Sequence, residues 1–282
     1  MIGKVFCGAM VLCCGVATVA AADPDRAVYR FEKRVATHAW REGSSKLAAE
    51  GYFVGLLGVR TAGDQHHVEE FLTGGLGSDL GEALPPRPAG DPLRRTYTLS
   101  KRGDVATPLA RRASLVVWML PFEFFLTPHE SPAEILAASQ GLQEFACHVT
   151  QPATTGNWSW RLVRQDVDHG TYEIAGPCLG KFAGEFPLGG SLTRVMAHET
   201  GTIREATADL SATIPISARL QRLADSPERQ REEEKFFDGY QTLVVRETVR
   251  MHRDDLNGDG GIELPLSLTT ALDKLRHETD AK

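Results

Sequence analysis

The chain has few cysteines and, beyond its N-terminus, no long hydrophobic run. After the first 22 residues the most apolar stretch, residues 115–126, contains Pro121 and Glu123. A helix that spans a bilayer needs about 20 consecutive apolar residues. We therefore expect no transmembrane segment in residues 23–282. Basic residues are not in excess either, because 31 Lys and Arg face 37 Asp and Glu for a net charge of −6. That balance disfavours nucleic acid as a partner.

The N-terminus has a composition of its own. Lys4 is the only charged residue among the first 22, residues 5–19 are apolar, and Ala20, Ala21 and Ala22 follow. A basic start, an apolar centre and a small-residue end are typical of a cleavable secretory signal peptide. The sequence thus predicts a signal peptide over residues 1–22 and an exported domain over residues 23–282, in the periplasm or outside the cell.

The number and positions of the cysteines agree with export. Three of the five cysteines lie within the predicted signal peptide, which leaves Cys147 and Cys178. Two cysteines in an oxidising compartment most simply form one disulfide. We expect a disulfide between Cys147 and Cys178.

Most of the remaining chain has the two-residue period of half-buried strands. Residues 203–214 alternate most regularly, with Ala206, Ala208 and Leu210 on one parity and polar residues on the other. The same alternation over residues 27–40 and 243–252, with helices predicted only over 132–141 and 268–277, indicates a mainly β, α+β class. The predicted architecture is one large curved antiparallel sheet, half-barrel-like, with two or three short helices in a single domain. The Gly- and Pro-rich residues 74–95 are predicted to be a loop. The charged residues 228–235 are predicted to be a solvated connection, and the alternative is a short exposed helix.

One local motif resembles a metal site. Residues 255–263, DLNGDGGIE, resemble the calcium loop of EF-hand and dockerin proteins, although position 12 of the loop is Leu266. The resemblance implies Ca²⁺ as the only cofactor, and the alternative is a tight turn without metal, since Asn-Gly and Asp-Gly favour positive φ. The ligands it implies are Asp255, Asn257, Asp259, Gly261 and Glu263.

Aromatic residues recur in three parts of the chain. Ligand pockets are concave and lined with such side chains. The core of a large sheet also contains aromatic side chains, so the sequence leaves both interpretations open. The residues proposed for the wall of an apolar pocket are Phe53, Trp118, Phe122, Phe124, Trp158 and Trp160.

No residue pattern predicts catalysis. The segment most similar to a nucleophile elbow, residues 189–193, has Thr193 where the motif requires Gly. We therefore identify no catalytic residue from the sequence and expect a non-enzymatic protein.

The later strands carry a family resemblance. Gly184-Glu185-Phe186, Gly201-Thr202-Ile203 and the alternating strand 206–214 resemble exported half-barrel carriers of the lipoprotein-localisation type. The resemblance implies a curved sheet around an apolar cavity that helices such as residues 132–141 close. The first hypothesis is an exported carrier of a hydrophobic small molecule or an envelope protein. The second is a structural or adhesive envelope protein with a calcium-binding C-terminal loop, and the third is an exported hydrolase.

Overall fold

The computed structural model describes residues 26–63, 65–78, 92–100, 131–147, 154–254 and 258–280. These residues form ten strands and four helices. The strands are β1 (Arg26–Arg41), β2 (Ser44–Ala62), β3 (Gln65–Ser78), β4 (Leu93–Ser100), β5 (Gln140–Cys147), β6 (Thr154–Asp166), β7 (Thr171–Phe182), β8 (Phe186–Ala197), β9 (Ile203–Pro215) and β10 (Thr242–Arg253). The helices are α1 (Pro132–Ala137), α2 (Ile216–Gln221), α3 (Pro227–Phe236) and α4 (Leu266–Asp280).

All ten strands belong to one antiparallel sheet. Its strand order is β4-β3-β2-β1-β10-β9-β8-β7-β6-β5, so the first and last of these ten strands pair at the centre. Tyr29 on β1 lies opposite Arg253 on β10, and Trp40 lies opposite Thr242. The prediction of a mainly β protein built on one large curved antiparallel sheet is confirmed.

Glycines mark where neighbouring strands approach each other too closely for a side chain. A Cβ added to Gly176 on β7 would lie 1.8 Å from the carbonyl oxygen of Ser159 on β6. On β8, a Cβ added to Gly190 would lie 2.1 Å from the carbonyl oxygen of Asp209. Glycine in a strand interior commonly marks such a close backbone approach or bend. These residues therefore permit sharp bending of the sheet between β6 and β9.

Helix α1 begins where the sequence predicts. The Ser131 hydroxyl accepts a hydrogen bond from the Glu134 backbone amide, and the Glu134 carboxylate accepts one from the Ser131 amide. This reciprocal pair is a capping box, which satisfies two amide donors at the helix start. The helix ends at Ala137 rather than near residue 141, because the chain enters strand β5 at Gln140.

Two helices differ from the sequence prediction. Residues 228–235 lie within helix α3, and the short helix α2 was not expected at all. The two helices are joined by Arg219, whose Nε and Nη2 donate to the Glu233 carboxylate at 2.6 and 2.7 Å. Glu233 is buried by this contact, so the charged segment is an anchored helix and not a solvated connection.

Both ends of the predicted loop over residues 74–95 lie in strands. Strand β3 continues to Ser78, where it pairs with Ala49 of β2, and strand β4 begins at Leu93. Glycine keeps its backbone donor and acceptor, so Gly74, Gly75 and Gly77 continue the ladder. Residues 79–91 lie outside the described part of the chain.

Helix α4 packs on one face of the sheet, called here the outer face. Its apolar side chains, including Leu268 and Leu272, bury Val28, Val54 and Leu56 of β1 and β2. Asp254, which follows β10, accepts hydrogen bonds from Arg30 and Arg276 and joins the helix to the sheet. Within the described residues, no helix is both long enough and apolar enough to cross a membrane.

Candidate functional site on the inner face of the sheet

The face opposite α4, called here the inner face, collects apolar side chains from every strand. Strand alternation directs each second residue to this side, and the predicted alternation of β9 is confirmed, because Ala206, Ala208, Leu210 and Ala212 are all buried. Ile135 of α1 packs against the same cluster. One buried member from each strand, in chain order, is Phe31, Phe53, Val68, Tyr97, Phe145, Trp158, Ile174, Leu192, Leu210 and Val249.

Three residues of the predicted pocket lie on the inner face. Phe53 on β2 and Trp158 and Trp160 on β6 are almost wholly buried and belong to one apolar cluster. The structure therefore places on one face Phe53 and Trp158, which are more than 100 positions apart in the chain. The other three predicted pocket residues, Trp118, Phe122 and Phe124, lie outside the described residues.

Glycines make room for the aromatic rings of this face. A Cβ added to Gly141 on β5 would lie 2.2 Å from the indole of Trp160, its partner on β6. A Cβ added to Gly156 on β6 would lie 2.5 Å from the ring of Phe145 on β5. Each ring therefore occupies space over a glycine of the adjacent strand that any other residue's Cβ would fill.

A buried arginine lies among these aromatics. Arg194 on β8 is 1% exposed, and its Nη1 donates to Oε1 of Gln143 on β5 at 3.1 Å. Its guanidinium carbon lies 4.8 Å from the ring centroid of Trp158. A planar guanidinium is attracted to the electron-rich face of an indole. The aromatic surface thus holds one cation in a fixed position on the inner face.

Burial changes the acid–base chemistry of this cluster. Desolvation lowers the pKa of Arg194 to about 9. Desolvation also raises the pKa of Tyr172 to about 12 and that of the Cys178 thiol to about 12, although the nearby charge of Arg194 opposes both shifts. At neutral pH the phenol and the thiol are therefore neutral, and Arg194 carries the charge of this group.

Two buried ion pairs lie on the other half of the inner face. Lys33 of β1 and Glu247 of β10 are fully buried, with Nζ and Oε2 at 2.7 Å. Glu70 of β3 is paired with Arg95 of β4. Burial raises the pKa of Glu70, and the charge of Arg95 and its hydrogen bond oppose that rise. The inner face is therefore apolar with a few fixed charges.

The predicted disulfide is wrong. Cys178 is a buried free cysteine. Cys147 pairs with Thr154 at one end of β6, whereas Cys178 on β7 pairs with Trp158, four residues further along the same strand. The two cysteine backbones are thus about 10 Å apart across the strands and about 13 Å apart along them. Disulfides need Cα atoms within about 7 Å of each other.

The described part of the proposed calcium loop forms a turn. Asp255 and Asn257 lie outside the described residues. The Asp259 carboxylate accepts a hydrogen bond from the Gly261 amide at 2.8 Å, and Gly261 has φ +70°. Glu263 is exposed. Calcium binding therefore remains a prediction, and the structure describes three of its five proposed ligands, Asp259, Gly261 and Glu263.

The turn is attached to the sheet through its neighbours. Ile262 is 1% exposed and packs in the apolar cluster under α4. Arg250 donates from Nη2 to the Gly260 carbonyl oxygen at 2.9 Å, and from Nη1 to the Glu32 carboxylate at 2.8 Å. Among the described residues, no three His, Cys, Asp or Glu side chains are grouped as metal ligands.

Sequence reasoning missed the buried charges of the inner face. Lys33 lies between Phe31 and Val35 on the apolar parity of β1, and Arg194 lies between Leu192 and Met196 on that of β8. A charged residue among the buried positions of an alternating strand is rare unless it is paired. The positions of Lys33 and Arg194 between apolar residues could therefore have identified both as buried charges.

Comparisons with known proteins assign no family. No family model and no curated protein matches the chain. A solved structure entitled "Lipid-protein interactions in lipovitellin" is similar over 88% of this chain, at 10% identity and a TM-score of 0.39. The matched region is 28% of that protein's chain. Neisserial surface protein A (NspA) is similar over 82% of this chain and 98% of its own, at 7% identity and a TM-score of 0.19. At these TM-scores the chain resembles both structures only distantly.

Proposed function

We propose that this protein is an exported, non-enzymatic binding protein that holds a hydrophobic molecule against the inner face of its sheet. The observation that carries the proposal is the continuity of that face. Buried apolar side chains from all ten strands form one cluster there, from Tyr97 on β4 to Phe145 on β5. A single sheet with one large apolar face buries that face either against itself or against a bound apolar molecule.

The chemistry of the face suits a hydrophobic ligand. Sites for small molecules are mostly apolar and aromatic, with a few fixed polar groups that orient the ligand. Phe53, Trp158 and Trp160 supply aromatic surface, and Arg194 supplies a fixed charge beside Trp158. Each Å² of apolar ligand surface that leaves water contributes about 25 cal/mol to binding.

The location belongs to the same proposal. The apolar segment at residues 5–19, followed by three alanines, supports export. A carrier of this kind would work in the periplasm or outside the cell, where it would exchange its ligand with a membrane or an envelope protein.

The first test is whether a ligand is bound when the protein is purified. The protein is extracted with organic solvent, the extract is analysed by mass spectrometry, and thermal unfolding is measured before extraction, after extraction and after the extract is added back. A ligand that binds only the folded protein raises its stability. We expect an apolar compound in the extract, a lower transition temperature after extraction and recovery on addition. An empty extract and an unchanged transition would contradict the proposal.

A matched pair of variants then tests the face itself. Ala208 is buried on the inner face of β9, and Thr207 beside it is exposed on the other side of the same strand. Ala208→Phe is expected to reduce the amount of bound compound, whereas Thr207→Phe leaves it unchanged. Circular dichroism confirms folding, and the smaller change Ala212→Val replaces Ala208→Phe if the latter unfolds. Equal binding by the inner-face and outer-face variants would place the ligand elsewhere.

A further inference from the structure

The half of the inner face that β5 to β9 form contains a buried charge. Among the described residues of these five strands, Arg194 is the only buried residue with a charged side chain, and it is 1% exposed. The other charged side chains described on β5 to β9 are partly or fully exposed. Burial of a charge among apolar side chains costs free energy. A buried arginine in this position therefore indicates a specific structural or binding role.

The guanidinium of Arg194 has donors beyond the one that Gln143 uses. It carries five N–H groups and no acceptor. Nη1 donates to Oε1 of Gln143 at 3.1 Å, and the guanidinium carbon lies 4.8 Å from the ring centroid of Trp158. A guanidinium that is held in this way can donate to several acceptors at once, and its orientation is set by the glutamine and the indole.

Tyr172 provides a second donor on the same face. Tyr172 is 1% exposed and lies opposite Met196, two positions along β8 from Arg194. Its hydroxyl has no hydrogen-bond partner within the part of the chain that the structure describes. Buried hydroxyls are nearly always hydrogen-bonded, so such a group indicates that something else is bound beside it. Burial raises the pKa of Tyr172 to about 12, and the opposing effect of Arg194 places the guanidinium near the hydroxyl.

These two donors favour a ligand group that accepts hydrogen bonds and carries one negative charge. Desolvation lowers the pKa of Arg194 to about 9, and an anion beside the guanidinium would offset that cost. A cationic group would increase the cost, and a wholly apolar ligand would bring no acceptor for the Tyr172 hydroxyl. A second negative charge would be buried without a cation from β5 to β9 to compensate it.

We propose that the molecule bound on the inner face is an amphiphile with a single negative charge, whose acid group accepts hydrogen bonds from Arg194 and Tyr172. The inference rests on the proposed function, because it specifies the chemical class of the molecule that the same face binds. A long-chain carboxylate and a lipid phosphodiester share this chemistry. A planar guanidinium can present two parallel N–H donors to either group.

An apolar path for the tail of such a ligand runs from Arg194 along β8 and β9. Leu192 lies opposite Ala208 and Leu188 lies opposite Ala212, and all four side chains are buried on the inner face. Leu188 is six positions from Arg194, which is about 20 Å along the strand. The alanines of β9 occupy less space above the sheet than larger residues would. We therefore expect the tail to lie along β9.

Four single-chain probes test the charge of the ligand. The solvent-extracted protein is titrated by calorimetry at neutral pH with dodecanoate, lysophosphatidylglycerol, dodecanol and dodecyltrimethylammonium, each below its critical micelle concentration. We expect one of the two anions to bind about tenfold or more tightly than dodecanol, and the cation to bind more weakly than dodecanol. Tighter binding of dodecanoate identifies a fatty acid as the ligand class, and tighter binding of lysophosphatidylglycerol identifies a phospholipid.

Variants of the two donors test the contact itself. In Arg194→Met we expect the preferred anion to bind no more tightly than dodecanol, with dodecanol binding unchanged, whereas Arg194→Lys retains part of the preference. Tyr172→Phe is expected to weaken the anion several-fold, and it replaces Arg194→Met if circular dichroism shows that the latter does not fold. Tyr52→Phe is the matched control, because Tyr52 is a 43% exposed tyrosine on the outer face, and we expect no change in binding.

The outcomes separate this inference from the proposed function. Equal affinities of the native protein for dodecanol and both anions would overturn the inference and leave the proposed function in place. Equal losses of anion and dodecanol binding in Arg194→Met and in Tyr172→Phe would have the same meaning. Absence of binding by all four probes would contradict the proposed function as well. Ala208→Phe, which obstructs the path of the tail, is expected to weaken dodecanol and the anion alike.

Discussion

Arg194 donates a hydrogen bond to Gln143 although their strands, β8 and β5, are separated by two others. Arg194 is in register with Ile174 and then Leu162, and Gln143 with Trp158. In a flat sheet their backbones would be about 14 Å apart across the strands and about 13 Å along them. The contact at 3.1 Å therefore requires the inner face to be strongly concave at β5–β8.

Truncation of this arginine is predicted to be costly. Arg194→Ala opens space beside Trp158 and removes the donor to the buried Gln143 side chain, so we expect a loss of about 3 kcal/mol in the free energy of unfolding. Arg194→Met fills most of that volume and should cost less. Urea unfolding measures both, with Arg161→Met, on an exposed position of β6, as the control. Equal stability of Arg194→Ala and the native protein would contradict the structural role.

The pair of Lys33 and Glu247 is predicted to depend on both partners. Both side chains are fully buried, so Lys33→Met leaves a buried carboxylate and is expected to cost about 3–5 kcal/mol. The double variant Lys33→Met, Glu247→Leu removes both charges and is expected to recover most of that loss. A double-mutant cycle from urea unfolding measures the coupling. Additive losses would show that the two charges do not depend on each other.

Much of the sheet could be predicted from alternation alone. Ala206 to Ile214 and Tyr29 to Ala39 alternate because one side of each strand is buried, and the structure places those residues as expected. Strand order could not be predicted, because alternation identifies a face and not a neighbour. The pairing of β1 with β10 joins residues more than 200 positions apart, such as Tyr29 and Arg253.

The candidate site could be predicted only in part, for two physical reasons. Aromatic residues favour the apolar side of a sheet, so Phe53, Trp158 and Trp160 lie together on the inner face. That they line a pocket stays a prediction. The position of Arg194 depends on curvature, which no local pattern contains. The disulfide prediction failed because cysteine number and compartment say nothing about register, and register separates Cys147 from Cys178.

Gly55 on β2 is predicted to tolerate no side chain. A Cβ there would lie 2.3 Å from the ring of Phe31 and 2.3 Å from the carbonyl oxygen of Phe71. Gly55→Ala forces both strands to shift, and we expect a loss of about 2 kcal/mol. Gly75→Ala on β3 is the matched control, because a Cβ there meets no atom within 4 Å. Thermal and urea unfolding of the two variants give the comparison, and similar stabilities would contradict the close packing of β2.

The Cys178 thiol is predicted to be unreactive in the folded protein. Burial raises its pKa to about 12, and the thiolate is the form that reacts. At pH 8 the thiolate fraction is then roughly a thousandfold below that of a thiol with an ordinary pKa near 8.5. Iodoacetamide labelling, followed by mass spectrometry of the peptide that contains Cys178, should be slow in the folded protein at pH 8. It should remain slow to pH 10 and become fast in denaturant. Peptides mapped without reductant should show no link between Cys147 and Cys178, and a linked peptide or fast labelling of the folded protein would contradict the register of β5, β6 and β7.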